Sequence, residues 1–288
     1  MFSEMKKEVN TFLLNYFKNK GSFNKVIYDS ASYSLNIGGK RIRPLLMLLT
    51  YNMYKENWRE ILEFSSAIEM IHTYSLIHDD LPCMDNDDLR RGKPTNHKVY
   101  GEDIAVLAGD ALLNEAMNVM MKFSLNHGRE ALVASQKIAE AAGAEGMIGG
   151  QVVDIINEGK KISEEELRYM HMKKTGALIK VSIVAGAILG NASEEEIELL
   201  EKFGENLGLA FQIKDDILDV IGNTEKLGKK VLSDEENDKT NFISMHGLDY
   251  CIKECERLTN ESINILDSLS VNTETLKILT KELLDREN

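Results

Sequence analysis

Apolar residues recur at intervals of three and four positions along most of the chain, a spacing that places them on one face of an α-helix. Ser163 and Ser193 are each followed after three positions by a glutamate, the sequence signature of a helix N-terminus. No proline follows Pro94, and no stretch has the composition of a linker. The sequence therefore predicts an all-α fold with residues 1–288 in one domain. The clearest helical periodicity covers 5–18, 28–35, 131–156 and 209–221. Polar composition predicts loops over 93–98 and 222–238.

Five aspartates fall within the ten residues 79–88, directly before Arg90 and Arg91. Carboxylates at this density repel one another unless a cation lies among them. Oxygen ligands without a thiolate suit Mg²⁺, which one or two carboxylates usually hold while substrate phosphates complete its shell. This stretch therefore predicts a magnesium site, with the two arginines as phosphate contacts.

A second group of carboxylates lies within the helix predicted over 209–221. At 100° per residue, Asp215 and Asp219 lie one turn apart on one face, with Asp216 beside them. A merely solvated face would carry acids at neighbouring positions as well, but the neighbours here are apolar. The two groups predict two carboxylate platforms that face each other across a helical cavity and hold several Mg²⁺ ions around one diphosphate.

Gly38 and Gly39 are followed by three cations, Lys40, Arg41 and Arg43, at the start of a predicted helix. Glycine backbone, a helix N-terminus and cationic side chains together form an anion site. A solvated basic turn would show the same residues. The short motif alone leaves both interpretations open.

The combination of Asp-Asp-four residues-Asp at Asp79 and Asp-Asp-two residues-Asp at Asp215 resembles the two aspartate-rich motifs of the trans-prenyl diphosphate synthases. The resemblance extends over 38–242. It implies the isoprenoid-synthase helical bundle around a central cavity. It also implies Mg²⁺-dependent head-to-tail condensation of isopentenyl diphosphate with dimethylallyl or geranyl diphosphate, and a homodimer.

The resemblance also assigns roles to individual residues. Contacts to isopentenyl diphosphate fall to Lys40, Arg43, His72 and Arg91. Contacts to the allylic diphosphate fall to Arg90, Lys174, Thr175, Gln212, Lys229 and Lys239. Two to three Mg²⁺ ions are held by Asp79, Asp80, Asp85, Asp215, Asp216 and Asp219. The catalytic set that neutralises the leaving diphosphate is Asp79, Asp80, Asp85, Arg90, Lys174, Asp215, Asp216 and Lys229. Gln151 and Asp154 match the family's cavity wall. Arg286 is a candidate cap for the substrate entrance.

Product length is predicted from Tyr74 and Ser75, five and four residues before Asp79. If the allylic tail grows along this helix, a bulky ring one turn below the metal site forms a floor. The aromatic residue and the two extra residues Pro82-Cys83 resemble the bacterial farnesyl-producing type. The surrounding sequence also resembles plant-type geranylgeranyl synthases, which carry a smaller residue at the place of Tyr74, so a geranylgeranyl product is the alternative.

Three further alternatives differ in sequence from this chain. A terpene cyclase usually has an Asn/Ser/Glu pattern at its second metal site, whereas this chain has aspartates. A non-catalytic subunit of a heteromeric synthase would be expected to lose carboxylates or cations, and this chain keeps them. A metal-dependent phosphohydrolase would usually bring paired histidine ligands, which His72 and His78 do not provide.

The formal net charge of −13 argues against nucleic-acid binding. Three cysteines, an odd number in a chain of this size, favour a reducing compartment over a disulfide framework. The N-terminus lacks the apolar region of a signal peptide, and the most apolar stretch, 181–189, is too short to span a bilayer. We therefore expect a cytoplasmic protein without membrane insertion.

Overall fold

The structure, a computed structural model, describes residues 1–227, 240–284 and 286, except for the side chains of 222–227. In these residues the only strands are the short β1 (Leu89–Arg90) and β2 (Lys93–Pro94), so the predicted all-α class is confirmed. The first helices are α1 (Phe2–Tyr16), α2 (Lys25–Asn36), α3 (Ile42–Tyr54), α4 (Leu62–Asp79), α5 (Asn96–Tyr100) and α6 (Glu102–Ala142). They are followed by α7 (Met147–Ile156), α8 (Glu164–His171), α9 (Ala177–Gly190), α10 (Glu194–Leu227), α11 (Phe242–His246), α12 (Leu248–Ser268) and α13 (Glu274–Leu284).

The chain divides into two compact units. The first comprises Met1–Ala139 and Ile188–Asn191, and the second comprises Glu140–Ala187 and Ala192–Asn288. The first aspartate motif belongs to the first unit and the second motif to the second. A single domain over 1–288 stays a prediction.

The core of the first unit is built on α3 and α4. Every residue from Phe64 to Ile71 is buried, which includes Ser65, Ser66 and Glu69 among the apolar side chains. Glu69 pairs with Arg41 at 2.8 Å, and both side chains are only 3% exposed. Arg41 also donates to Asn10 Oδ1 and to the carbonyl of Leu35. Removing either member of such a pair leaves a buried charge without compensation, so Arg41 anchors the fold here.

Two predicted boundaries are wrong. The helix expected over 131–156 is interrupted, because α6 ends at Ala142 and α7 starts only at Met147. Gly143 and Gly146 lie in the turn between them, where glycine carries no penalty for leaving the helical conformation. A polar loop was expected over 222–238, but 222–227 continue α10, and 228–238 lie outside the described residues. The predicted caps at Ser163 and Ser193 are confirmed by reciprocal hydrogen bonds with Glu166 and Glu196.

Among the described residues, one helical stretch, Glu102–Ile156, is long and apolar enough by length and composition to cross a membrane. Its backbone leaves the helical conformation at Gly128 and again between α6 and α7. Buried helices of proteins outside membranes meet the same criterion, so the stretch is weak evidence for a membrane span.

Candidate active site

A tight hairpin presents the two arginines that follow the first aspartate motif. Strands β1 and β2 pair antiparallel, and Arg91 and Gly92 form the turn with φ angles of 54° and 73°. Positive φ at both positions is typical of a type I′ turn, which matches the twist of a hairpin. Residues 93–98 were expected to form a polar loop, but Thr95, Asn96 and His97 are buried.

Asn96 anchors this hairpin to α2. Its side-chain amide donates to the carbonyl of Ser30 at 3.0 Å and to the hydroxyl of Ser34 at 2.8 Å. The Ser30 hydroxyl donates in turn to Asn96 Oδ1 at 2.9 Å. A buried amide whose groups are paired rigidifies its surroundings. The position of the arginines therefore depends on a polar residue that the sequence analysis did not select.

Arg90 lies against Asp80, the second aspartate of the first motif. Its Nε donates to Asp80 Oδ1 at 2.7 Å and Oδ2 at 2.9 Å, and Asp80 is only 3% exposed. Burial raises the pKa of Asp80, and the guanidinium of Arg90 opposes that rise. The carboxylate that was predicted as a metal ligand thus has a cation from the protein itself.

Asp79 and Asp85 are the more accessible carboxylates of this motif. Asp79 is half-buried at the end of α4, and Asp85 is exposed. The Asp85 N–H donates to the Asp79 carbonyl at 2.9 Å, which closes the intervening loop back onto the helix end. Asp88 is also exposed but pairs with Lys98 at 2.7 Å. The loop therefore brings the first and third aspartates of the motif close together in the backbone.

A second group of cations surrounds His72. The guanidinium of Arg91 donates to the Gly38 carbonyl and lies against Gly39, where an added Cβ would be 2.7 Å from Nη1. Burial first, then the nearby charges of Arg43 and Arg91, hold the pKa of His72 well below its usual range. Its imidazole is therefore neutral at pH 7 and lies in a strongly positive environment, which is the electrostatic character of an anion site.

Lys40 is exposed and Arg43 half-buried in the same segment. The structure thus gathers Arg43, His72 and Arg91, three of the four residues predicted for isopentenyl diphosphate, in one part of the first unit. Arg41, which sequence alone grouped with these cations, is instead paired with Glu69.

The predicted chain-length residues lie on α4. Tyr74 is buried at 6% exposure, whereas Ser75 is half-buried and its hydroxyl donates to the His72 carbonyl at 2.9 Å. Tyr74 is the bulkier and the more deeply buried of the two side chains.

In the second unit, the buried member of the aspartate motif is Asp216, at 7% exposure. Its Oδ2 accepts a hydrogen bond from the Phe242 N–H at 3.1 Å, at the start of α11. Burial raises the pKa of Asp216 to about 6, against the lowering effect of hydrogen bonds from Phe242 and Gln212. The donors here are neutral dipoles.

The other two aspartates of the second motif are more accessible. Asp219 is exposed. Asp215 pairs with Arg286 at 2.5 Å, and the guanidinium of Arg286 also lies over the ring of Phe211 at 3.9 Å. Arg286 was considered as a cap for the substrate entrance; the structure places it on a carboxylate of the second motif.

Lys174 and Thr175 lie in a single turn of π-helix, Met172–Gly176, between α8 and α9. Such turns are rare and occur frequently at functional sites. Close backbone contacts fix this one, because a Cβ at Gly150 would lie 2.1 Å from the Lys174 nitrogen and a Cβ at Gly208 2.9 Å from the Cα of Gly176. Lys174 Nζ donates to Asp154 Oδ2 at 2.6 Å.

These residues line a cavity of about 360 Å³ inside the second unit. Its walls contain cationic, hydroxyl, amide and carboxylate side chains that the sequence analysis predicted in separate motifs. They include Asp154, Lys174, Thr175, Gln212, Asp216 and Asp219. Lys229 and Lys239, which were also predicted to contact the allylic diphosphate, lie outside the described residues.

The carboxylates of the two aspartate motifs are suitable ligands for Mg²⁺. Among the described residues, no three Asp, Glu, His or Cys side chains gather into a ready metal cage. Asp80 and Asp216 are buried and accept hydrogen bonds from the protein, whereas Asp79, Asp85, Asp215 and Asp219 are more accessible, although Asp215 also pairs with Arg286. Because Mg²⁺ keeps few protein ligands and relies on substrate phosphates, the accessible carboxylates of each motif suit it.

Comparison with known proteins agrees with these features. The family model described as Polyprenyl synthetase matches residues 24–279. The chain belongs to the polyprenyl synthetase family.

Several relatives in this family have named products. The chain is 49% identical over 238 residues to the farnesyl diphosphate synthase of Bacillus subtilis, covering 80% of each chain. It is 44% identical over 238 residues to the geranylgeranyl diphosphate synthase of Cyanophora paradoxa, covering 82% of this chain and 79% of that one. The structure matches that of a geranyltransferase from Legionella pneumophila with a TM-score of 0.87 at 30% identity, covering 100% of this chain and 96% of that one.

Proposed function

We propose that this protein is a farnesyl diphosphate synthase. It condenses isopentenyl diphosphate head to tail with dimethylallyl and then geranyl diphosphate, and releases diphosphate. The observation that carries the proposal is the presence of two separate sets of anion-binding groups, each beside an aspartate motif. One surrounds His72 in the first unit, and the other lines the Lys174 cavity in the second. A condensation of two diphosphates requires both.

The allylic diphosphate must leave in the first step, when its C–O bond breaks and an allylic cation forms. In this proposal Lys174 and Arg90 both contact the leaving diphosphate, and their positive charge stabilises the negative charge that grows on it, an electrostatic effect that usually dominates such catalysis. Asp79, Asp85, Asp215 and Asp219 would hold Mg²⁺, which supplies further charge neutralisation when bound. Asp80 and Asp216 act by positioning Arg90 and the start of α11.

Isopentenyl diphosphate is held by Lys40, Arg43, His72 and Arg91. Neutral His72 can donate one hydrogen bond without adding charge, while the arginines compensate the diphosphate. Its double bond attacks the allylic cation, a C–C bond forms, and the departed diphosphate takes the proton that is lost. Correct orientation of the two reactants supplies much of the rate.

Tyr74 favours the farnesyl product. Relatives named for farnesyl and for geranylgeranyl products are similar to this chain at 49% and 44% identity, so identity alone does not separate them. The buried Tyr74 ring on α4, five residues before Asp79, supplies the bulk that would stop elongation.

A homodimer, a cytoplasmic location and the lack of membrane insertion or nucleic-acid binding belong to the same proposal. Helix α6 carries exposed apolar side chains in the first unit, as expected of a surface that contacts another protein chain. They include Leu107, Met121 and Leu125. The net charge of −13 supports the absence of nucleic-acid binding.

Product analysis tests the proposal. Purified protein with Mg²⁺ and isopentenyl diphosphate should make the fifteen-carbon product from dimethylallyl and geranyl diphosphate and leave farnesyl diphosphate unextended. Asp79→Ala and Asp215→Ala should each lower kcat/KM by about 10²–10³-fold, the scale of a lost electrostatic group. Unmodified protein that makes no condensation product from any starter would favour the non-catalytic subunit instead.

Replacing Tyr74 separates the reaction from the length of its product. Tyr74→Ser should condense the same substrates but add a twenty-carbon product. A twenty-carbon product from the unmodified protein would refute the floor and support a geranylgeranyl synthase.

A further inference from the structure

The side chain of His78 lies between α4 and α6, one helical turn after Tyr74. Its Nε2 is 3.0 Å from the carbonyl oxygen of Val106 on α6. Because a carbonyl only accepts hydrogen bonds, Nε2 must carry the proton and donate. His78 therefore ties the end of α4, next to Asp79, to the first turns of α6.

The fit of this imidazole against α6 depends on Gly109. A Cβ at that position would lie 2.1 Å from His78 Nε2 and 2.5 Å from Cδ2, closer than any nonbonded contact allows. The ring thus occupies the space that a side chain at position 109 would fill. Any larger residue there would force His78 to move.

The imidazole also contacts the ring of Tyr74. The two ring centroids are 5.7 Å apart and the ring planes are 79° to each other, an edge-to-face contact. The hydroxyl oxygen of Tyr74 is buried and has no hydrogen-bond partner among the described residues. The position of the Tyr74 ring is therefore set by packing, and His78 is one of the groups that pack on it.

We propose that His78 is a positioning residue for product length, which fixes the Tyr74 ring by bridging it to the Val106 carbonyl over Gly109. This inference rests on the proposed synthase function. The Tyr74 ring blocks the growing chain, whereas the hydrogen bond from His78 to α6 fixes the position of that ring. Movement of His78 lets the ring tilt and admits a longer chain.

Two substitutions separate the parts of the bridge. His78→Gln keeps an amide that can donate to the Val106 carbonyl but removes the aromatic ring that contacts Tyr74. His78→Phe keeps a ring against Tyr74 but removes the donor. We expect His78→Gln to raise the ratio of twenty-carbon to fifteen-carbon product roughly three- to tenfold, the scale of one aromatic pair, and His78→Phe to raise it less. Each ratio is measured at equal substrate conversion.

Gly109→Ala tests the same bridge from α6 and should also raise the twenty-carbon fraction. Val106→Ala is the matched control, because it trims an exposed side chain but leaves the main-chain acceptor in place; its product ratio should equal that of the unmodified protein. In a Tyr74→Ala background, His78→Gln should add no further change, since His78 acts through Tyr74.

Unchanged product ratios in both His78 variants, or an undiminished shift in the Tyr74→Ala background, would overturn the inference while the synthase function stands. If the unmodified protein condensed nothing, the proposed function would fail on its own. The bridge would then be judged by NMR of the imidazole nitrogens: Gly109→Ala should shift the His78 signals and Val106→Ala should not. Unshifted signals in Gly109→Ala would refute it.

Discussion

Asp80 in the first unit and Asp216 in the second hold the same place in their motifs, as the second of two adjacent aspartates. Both are buried, with exposures of 3% and 7%. Asp80 is compensated by a full positive charge, the guanidinium of Arg90. Asp216 receives only dipoles, the Phe242 N–H and the side chain of Gln212.

This difference has electrostatic consequences. A guanidinium compensates a buried carboxylate through charge as well as hydrogen bonding, whereas neutral donors leave most of the desolvation cost in place. Accordingly, the pKa of Asp216 rises to about 6 despite its hydrogen bonds. Equivalent positions in two similar motifs can therefore do different work. Asp80 holds the guanidinium of Arg90, and Asp216 holds the backbone N–H that begins α11.

The largest effect is expected when the cation that compensates Asp80 is removed. Arg90→Met leaves the carboxylate of Asp80 buried without its cation, so the free energy of unfolding should fall by about 3 kcal/mol. Urea denaturation measures the loss. Arg91→Met is the matched control on the same hairpin, and it should cost less than about 1 kcal/mol. The Arg91 guanidinium donates to a carbonyl, and the nearby buried carboxylate of Glu69 is already paired with Arg41. Equal losses of unfolding free energy in the two variants would contradict the role of Arg90 in compensating Asp80.

A pH-dependent effect of intermediate size should distinguish Asp216. Its pKa is near 3.9 when unfolded and about 6 when folded, so the folded state binds the proton more tightly. The contribution of Asp216 to stability is therefore fully present below about pH 4 and is lost as pH rises through 6.

Asp216→Asn removes this titration. Between pH 4 and pH 7, the unmodified protein should lose about 2–3 kcal/mol of unfolding free energy relative to the variant. Denaturation of both proteins at each pH, with a chelator present to exclude metal binding, measures the difference. A gap between the two proteins that stays constant over this range would show that Asp216 has no raised pKa.

The smallest effect is expected when one of the neutral hydrogen-bond donors to Asp216 is removed. Gln212→Leu removes one hydrogen bond to Asp216 and should cost about 1 kcal/mol at pH 7. It should also raise the pKa of Asp216 further, because that hydrogen bond favours the ionised form. The pH at which stability is lost should move upward in the same denaturation series. A downward movement would mean that Gln212 does not donate to the carboxylate.

Much of the helical fold could be predicted from the sequence, because apolar periodicity and the Ser163 and Ser193 caps are local signals. The boundary errors arose where local preference was ambiguous. The apolar pattern over 131–156 continued through Gly143 and Gly146, although the chain turns there. At 222–227, polar composition suggested a loop, but α10 continues through it.

The candidate site could be predicted as a set of residue types, since dense aspartates and nearby cations limit the chemistry that can occur there. The pairing within that set could not. Sequence alone could not show that Arg41 pairs with Glu69, that Asn96 anchors the hairpin of the arginines, or that the Phe242 N–H reaches Asp216. Each contact joins groups at least 26 positions apart in the chain, and no local pattern encodes such a distance.

By itself, the sequence determined the all-α class, the two aspartate motifs and the membership of a family that joins isoprenoid diphosphates. Tertiary structure alone decided which carboxylates are accessible and which are held by the protein. It also decided which of the neighbouring cations pairs with a buried carboxylate of the protein and which can bind an anion. The physical reason is that charge, burial and hydrogen bonding act through space: the pKa and the role of a side chain depend on groups that only folding brings to it.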